Sequence, residues 1–240
     1  MFIYGKQIVL EALATMPLKR VFVAQGINQS TAQQVRSAAR KVGIEVEILP
    51  RIQLDQATKT TKHQGVVAET ANLAFSDIAA AHSLAEERGE APFFILLDQI
   101  TDPRNYGAII RSAEALGAHA VVTEERRSAQ LNAVVMKASA GAAAHLPLVQ
   151  VKNLPRFIDE IKKDHFWVYG AAADAFKTAE EQNFSGKVAL VIGSEGSGMR
   201  RLVQEKCDEL IHIPMRGQLA SLNASVAAGI LMYEVMRGRK

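Results

Sequence analysis

With 240 residues, 48% of them hydrophobic and 22% charged, the chain has the make-up of a soluble globular protein and is long enough for one large domain or two small ones. No apolar run reaches the roughly 20 residues needed to cross a bilayer, and Met1-Phe2-Ile3-Tyr4-Gly5-Lys6 lacks the features of a signal peptide, so a cytoplasmic protein that is not in a membrane is expected. A single cysteine, Cys207, excludes an intrachain disulfide and a cysteine zinc cluster, and a net charge of +3 is too small to name a nucleic-acid partner alone.

The predicted elements begin with a helix from Gly5 to Ala14, where Ile8, Leu10 and Leu13 share a face and Pro17 ends the run. Arg20–Ala24 reads as a strand, and Ser30 as the cap of a helix reaching Val42 before Gly43. Val46–Leu49 is a second strand, Ile52–Ala57 a short helix and Gly65–Ala68 a third strand. This small α/β unit, residues 1–75, holds nine basic and five acidic residues, so the rest of the chain is slightly negative. A basic arm on a near-neutral enzyme would look like this, and so would ordinary solvated helix faces. Residues 76–91, an alanine-rich helical stretch ending in Glu86-Glu87-Arg88-Gly89-Glu90, are read as a linker.

From Phe93 the alternation resumes with stronger strands at 93–97, 120–123, 146–149, 166–169, 188–192 and 210–213. Helices begin near Tyr106, Leu131, Leu154 and Arg200, and a last one spans about Leu222–Met236. Apolar strands alternating with helices predict a parallel sheet covered on both faces, with a ligand beyond the carboxyl ends of its strands.

Three segments near those ends carry chemical groups. In Asp102-Pro103-Arg104-Asn105-Tyr106-Gly107, Pro103 fixes the turn and Asn105 is a candidate helix cap, while Arg111 further on has the spacing of a surface arginine. Gly193-Ser194-Glu195-Gly196-Ser197-Gly198 is neither a P-loop nor the dinucleotide fingerprint, and a glutamate in the turn repels a pyrophosphate. A plain strand–helix turn with Glu195 near a helix N-terminus is the alternative. Ile213-Pro214-Met215 leads to Ser221-Leu222-Asn223, where Ser221 or Asn223 is a candidate helix cap.

In order and spacing these segments resemble the three signature motifs of the SpoU (TrmH) branch of the SPOUT RNA methyltransferases, over roughly residues 92–240. Tyr4-Gly5 and His63-Gln64-Gly65 resemble the ribosomal-protein-L30e-like RNA-binding domain of members that modify 23S rRNA. The resemblance implies an α/β fold with a deep trefoil knot, S-adenosylmethionine as methyl donor, and a homodimer whose active sites draw residues from both subunits. By motif, Gly193, Ile213 and Leu222 would hold the cofactor, largely through backbone groups. Arg111, Asn105, Glu195, Ser221 and Asn223 would serve transfer to a ribose 2′-hydroxyl, with Arg111 stabilising the alkoxide and the others orienting it and the ribose. No metal is implied, and the six histidines show no ligand spacing. Two departures stand out: Ala224 where many relatives carry valine, and Ala171-Ala172-Ala173 where relatives often carry hydroxyls. A guanosine of 23S rRNA is the expected target. A tRNA target keeps the same chemistry, and a non-catalytic RNA-binding assembly factor is the reading from another class.

Overall fold

The computed structural model describes residues 2–15, 18–70, 75–218 and 221–239, and divides the chain into two units, residues 1–73 and 74–240. Pro17, expected to end the first helix, lies outside the described residues.

The first unit runs β1 (Phe2–Tyr4), α1 (Lys6–Thr15), β2 (Leu18–Ala24), α2 (Gln29–Lys41), β3 (Val46–Leu49), α3 (Arg51–Thr58) and β4 (Val66–Thr70). Its sheet has the order β1-β4-β2-β3, with only β2 and β3 parallel. Strand alternation sends Phe22, Ala24 and Val67 to one face, where they bury Leu54 of α3. The cap of α2 is Asn28 rather than Ser30: its side-chain oxygen accepts from the Ser30 amide at 2.9 Å and the Ser30 hydroxyl at 2.7 Å. His63 is fully buried, accepting from the Gly65 amide at 3.0 Å and facing Asp55 at 2.7 Å. It fixes the turn that leads into β4.

The second unit begins with α4 (Ile78–Arg88), in the stretch read as a linker. The helix is built into this unit's core: Asp77 caps it, Gly89 closes it in a left-handed turn, and Ala81 and Ala85 are buried. The Ser76 amide donates to Leu148 at 2.7 Å. Only the polar tail of the stretch resembles a linker.

Then follow β5 (Phe93–Asp98), α5 (Pro103–Ala115), β6 (Ala120–Glu124), α6 (Ala133–Ala138), β7 (Leu148–Val151), α7 (Leu154–Lys163), β8 (Trp167–Ala171), β9 (Lys177–Thr178), β10 (Val188–Gly193), α8 (Arg201–Gln204), β11 (Glu209–His212) and α9 (Ala224–Gly238). The sheet order is β7-β6-β5-β10-β8-β11-β9 and every pairing is parallel. Phe94, Leu96, Val122, Ala189 and Val191 meet Phe157 and Ile158 of α7 in a fully apolar core. Burial of β5 and β10 on both faces explains their near-continuous apolar sequences. No described helix is long and apolar enough to cross a membrane.

Candidate active site

The chain leaves β10 in a turn folded on itself. The Ser194 and Gly198 amides each donate to the other's carbonyl at 3.0 Å, and the Ser194 and Ser197 hydroxyls lie 2.6 Å apart. Gly196 and Gly198 have φ of +82° and +66°, where side chains are strained. A Cβ on Gly193 would stand 2.2 Å from the Gly198 carbonyl carbon and 2.3 Å from the Met199 nitrogen. The glycines are what allow backbone to pack on backbone here.

Glu195, carried on this turn, meets the starts of two helices. Asn105 Nδ2 donates to Glu195 Oε1 at 3.0 Å, Asn223 Nδ2 donates to the same oxygen, and Asn223 Nδ2 also reaches Asn105 Oδ1 at 3.0 Å. The backbone amide of Ala224, the first residue of α9, donates to Glu195 Oε1 at 3.3 Å. Glu195 therefore sits at the N-terminus of α9, where the helix dipole favours it, and not at the four-residue α8. Asn105 is not a cap: Asp102 takes that place on α5 and accepts from the Arg104 amide at 2.9 Å, which frees Asn105 for the cluster. Asn223 does both jobs, since its Oδ1 caps α9 by accepting from Ser225 and Val226 amides at 2.9 and 3.3 Å.

Beside the cluster lies a cavity of about 370 Å³ at the carboxyl ends of β8, β10 and β11, where a ligand is expected in a parallel sheet. Gly193, Ile213 and Leu222 all line it, as do Glu195 and Ser221. The wall also includes Ala171-Ala172-Ala173 and Asp174, and no lysine or arginine occurs among the described lining residues. Two carboxylates without a cation suit a neutral or positively charged ligand and oppose a polyphosphate. Ser221 lines the cavity but makes no hydrogen bond to the Asn105–Glu195–Asn223 cluster among the described residues.

Arg111 stands apart. It is exposed on α5, six residues beyond Asn105, which is about 9 Å along the axis and about 120° around it. Among the described residues it has no hydrogen-bond or ion-pair partner. Sequence reasoning missed Asp174 and Gln204 in the cavity wall; the position of Asp174 just past β8 was the available signal. Cys207 is a bystander, its thiol donating to the Val203 carbonyl and pushed up to about 12 by burial.

This architecture is that of a class of RNA-modifying transferases. The SpoU methyltransferase AviRb from Streptomyces viridochromogenes, solved in complex with the cofactor AdoMet, superposes with a TM-score of 0.70 at 24% identity, over 99% of this chain and 89% of that one. An RNA methyltransferase structure of the TrmH family from Porphyromonas gingivalis, itself described as putative, gives 0.70 at 26% identity, over 98% and 89%. Residues 92–233 match the SpoU rRNA Methylase family, and residues 2–76 match the domain described as RNA 2′-O ribose methyltransferase substrate binding. The chain belongs to the SpoU rRNA methylase family and is an RNA methyltransferase. It is 46% identical to the putative TrmH family tRNA/rRNA methyltransferase YacO of Bacillus subtilis, over 99% of this chain and 96% of that protein. It is 38% identical to the 23S rRNA (guanosine-2′-O-)-methyltransferase RlmB of Escherichia coli, over 99% and 98%.

Proposed function

We propose that this enzyme transfers a methyl group from S-adenosylmethionine to the ribose 2′-hydroxyl of a guanosine in 23S rRNA, in the cytoplasm. The observation that carries the reading is the cavity at the strand ends, walled by apolar side chains, backbone and the carboxylates of Asp174 and Glu195, with Glu195 bonded to Asn105 and Asn223 beside it. The residues fit the cofactor. Gly193 lets the backbone of Gly198 and Met199 pack against β10 to form the wall, Ile213 and Leu222 supply apolar wall and backbone groups, and the carboxylates of Glu195 and Asp174 suit a sulfonium. When bound, S-adenosylmethionine supplies an electrophilic methyl group. The full-length likeness to a guanosine-specific 23S rRNA enzyme supports the target. The name of the Bacillus subtilis relative supports tRNA as the second reading.

A ribose hydroxyl is a weak nucleophile, so the protein's task is to place it and stabilise the developing alkoxide. Arg111 is assigned the stabilising role, because a guanidinium holds its proton and offers only donors, so it cannot act as base. Glu195, Asn105 and Asn223 orient the ribose, with Ser221 beside them; the hydroxyl proton leaves to solvent. The intact cluster speaks against a non-catalytic assembly factor.

Arg111 reaches a cavity in a homodimer. On α9, Val226, Ile230 and Tyr233 form an exposed apolar stripe at helical spacing, and α9 packs on α5, which carries Arg111. A second copy covering that stripe places Arg111 of each protomer at its partner's cavity. The trefoil knot belongs to the same proposal. Residues 1–75 bind the RNA, a reading supported by the substrate-binding family match over residues 2–76. The direct test is incubation with S-adenosylmethionine and unmodified 23S rRNA. A 2′-O-methylated guanosine resists alkaline cleavage, whereas RNA that stays fully cleavable defeats the proposal. Mixing Arg111→Ala with Gly193→Ala protein tests the dimer: heterodimers regain one complete site if Arg111 acts across the interface, and none if it does not.

A further inference from the structure

Asp98 ends β5 wholly buried, and the sheet register sets it directly beside Gly193 on β10. Its carboxylate also takes the far end of the glycine turn. Oδ2 accepts from the Arg200 backbone amide at 2.7 Å, and Oδ1 accepts from Arg200 Nε at 2.7 Å, with Nη2 2.6 Å away. Arg200 Nη2 lies 3.1 Å from Oε2 of Glu124, which ends β6 and whose Oε1 accepts from the Leu154 amide at 3.0 Å. Both ends of the segment 194–199 are thus fixed at one residue, Gly193 through the strand pairing and Arg200 through the carboxylate, and that segment carries Glu195 and forms part of the cavity wall.

Stability alone does not account for the arrangement. A buried ion pair is on average no more stabilising than an apolar replacement of similar volume, and here two buried carboxylates share one guanidinium. What the network supplies is location. Without it the turn keeps its internal hydrogen bonds, the bonds of Glu195 and the Gln204 donation to the Met199 carbonyl at 2.9 Å, but loses the tie between its exit and the end of β5.

We propose that Asp98, acting through Arg200, is a positioning residue for the reaction: it holds the 194–199 turn where Glu195 meets Asn105 and Asn223 and where the cofactor cavity keeps its shape. Glu124 braces the guanidinium from the second strand. The proposal rests on the cofactor assignment above, and its test separates the two.

The experiment measures S-adenosylmethionine binding by calorimetry, kcat and KM on RNA, and the unfolding temperature for the full chain, Asp98→Asn and Arg200→Lys. Asp98→Asn keeps the shape and removes the charge. Arg200→Lys keeps the charge and the backbone amide but loses the guanidinium fork. Both variants are expected to raise the dissociation constant by roughly ten-fold or more and to lower kcat at saturating cofactor, with Arg200→Lys the milder. Should Asp98→Asn fail to fold, Arg200→Lys alone decides. Unfolding temperatures that fall while binding and kcat stay within about two-fold of wild type overturn the proposal, since a purely structural network behaves that way. Wild type that binds no S-adenosylmethionine overturns the cofactor assignment, and this proposal with it.

Discussion

Replacing Gly193 with alanine tests the cavity through its least forgiving position. The new methyl group would meet the Gly198 carbonyl carbon at 2.2 Å, the Met199 nitrogen at 2.3 Å and the Gly198 oxygen at 2.6 Å. All three are backbone atoms, so no side chain can rotate away. Ordinary contact begins near 3.4 Å, and the turn must retreat by about 1 Å against its own two 3.0 Å hydrogen bonds and the Arg200–Asp98 tether. Overpacking of this kind costs about 1–3 kcal/mol. If the strain falls on the turn, cofactor affinity drops by roughly 5- to 150-fold. The unfolding temperature falls by about 2–4 °C for each kcal/mol that strains the whole fold. Calorimetric titration with S-adenosylmethionine and a thermal melt of the same sample read the two separately. Affinity within about two-fold of wild type would refute the idea that this turn walls the cofactor site.

Arg111→Ala should lower kcat by on the order of 100- to 1000-fold, the usual loss on removing one group that stabilises an oxyanion, while calorimetry shows unchanged cofactor binding. Asn223→Ala removes the cap of α9 and two donors of the Glu195 cluster; it should cost about 1 kcal/mol in a denaturant melt and lower kcat with little change in cofactor affinity. Arg36 and Arg40, exposed four residues apart on α2 beside a shallow groove that also holds Glu45, are expected to contact RNA phosphates. Changing both to glutamine should reduce the salt slope of RNA binding by roughly 1–2 and leave kcat alone; an unchanged slope would exclude them. His119 gives a pH dependence. It is buried, its Nδ1 accepts from the Phe93 amide at 3.0 Å, and its pKa is lowered by burial, with Arg88 and Arg239 lowering it further and Glu90 opposing. The folded state thus binds this proton less readily than the unfolded chain, whose histidine titrates near 6.5. The contribution is full above about pH 6.5 and is lost as the pH falls through the lower folded value. Denaturant melts from pH 7.5 to 5 should show this decline, and His119→Gln should flatten it.

The parallel sheet was legible because its strands are apolar runs between turn residues, and Val46–Leu49 is found with the predicted bounds. Strand ends elsewhere moved by a residue or two, where hydrogen bonding and not hydropathy decides. Ser30 lost its capping role to Asn28 because the two lie close together and the amide side chain sits one step outside the helix. The 76–91 stretch misled because alanine carries little hydrophobic signal, yet Ala81 and Ala85 are small enough to let α4 lie on the sheet. The site was legible only as motifs. Asn105 and Glu195 are 90 residues apart, and Asn105 and Asn223 are 118 apart, so no periodicity could join them. Local rules assigned Asn105 to a cap, and the fold assigned it to Glu195. Asp98 and Arg200 carried no sequence signal, since their pairing depends on two neighbouring strands ending at the same height.

The most direct measurement follows labelled methyl groups. Purified protein, S-adenosylmethionine tritiated on its methyl group, and total RNA from a strain lacking the gene are incubated together, then digested to nucleosides. Label recovered as 2′-O-methylguanosine from 23S rRNA is the predicted result. Label on a base, or none in any RNA or ribosomal precursor particle from protein that binds the cofactor, would contradict it.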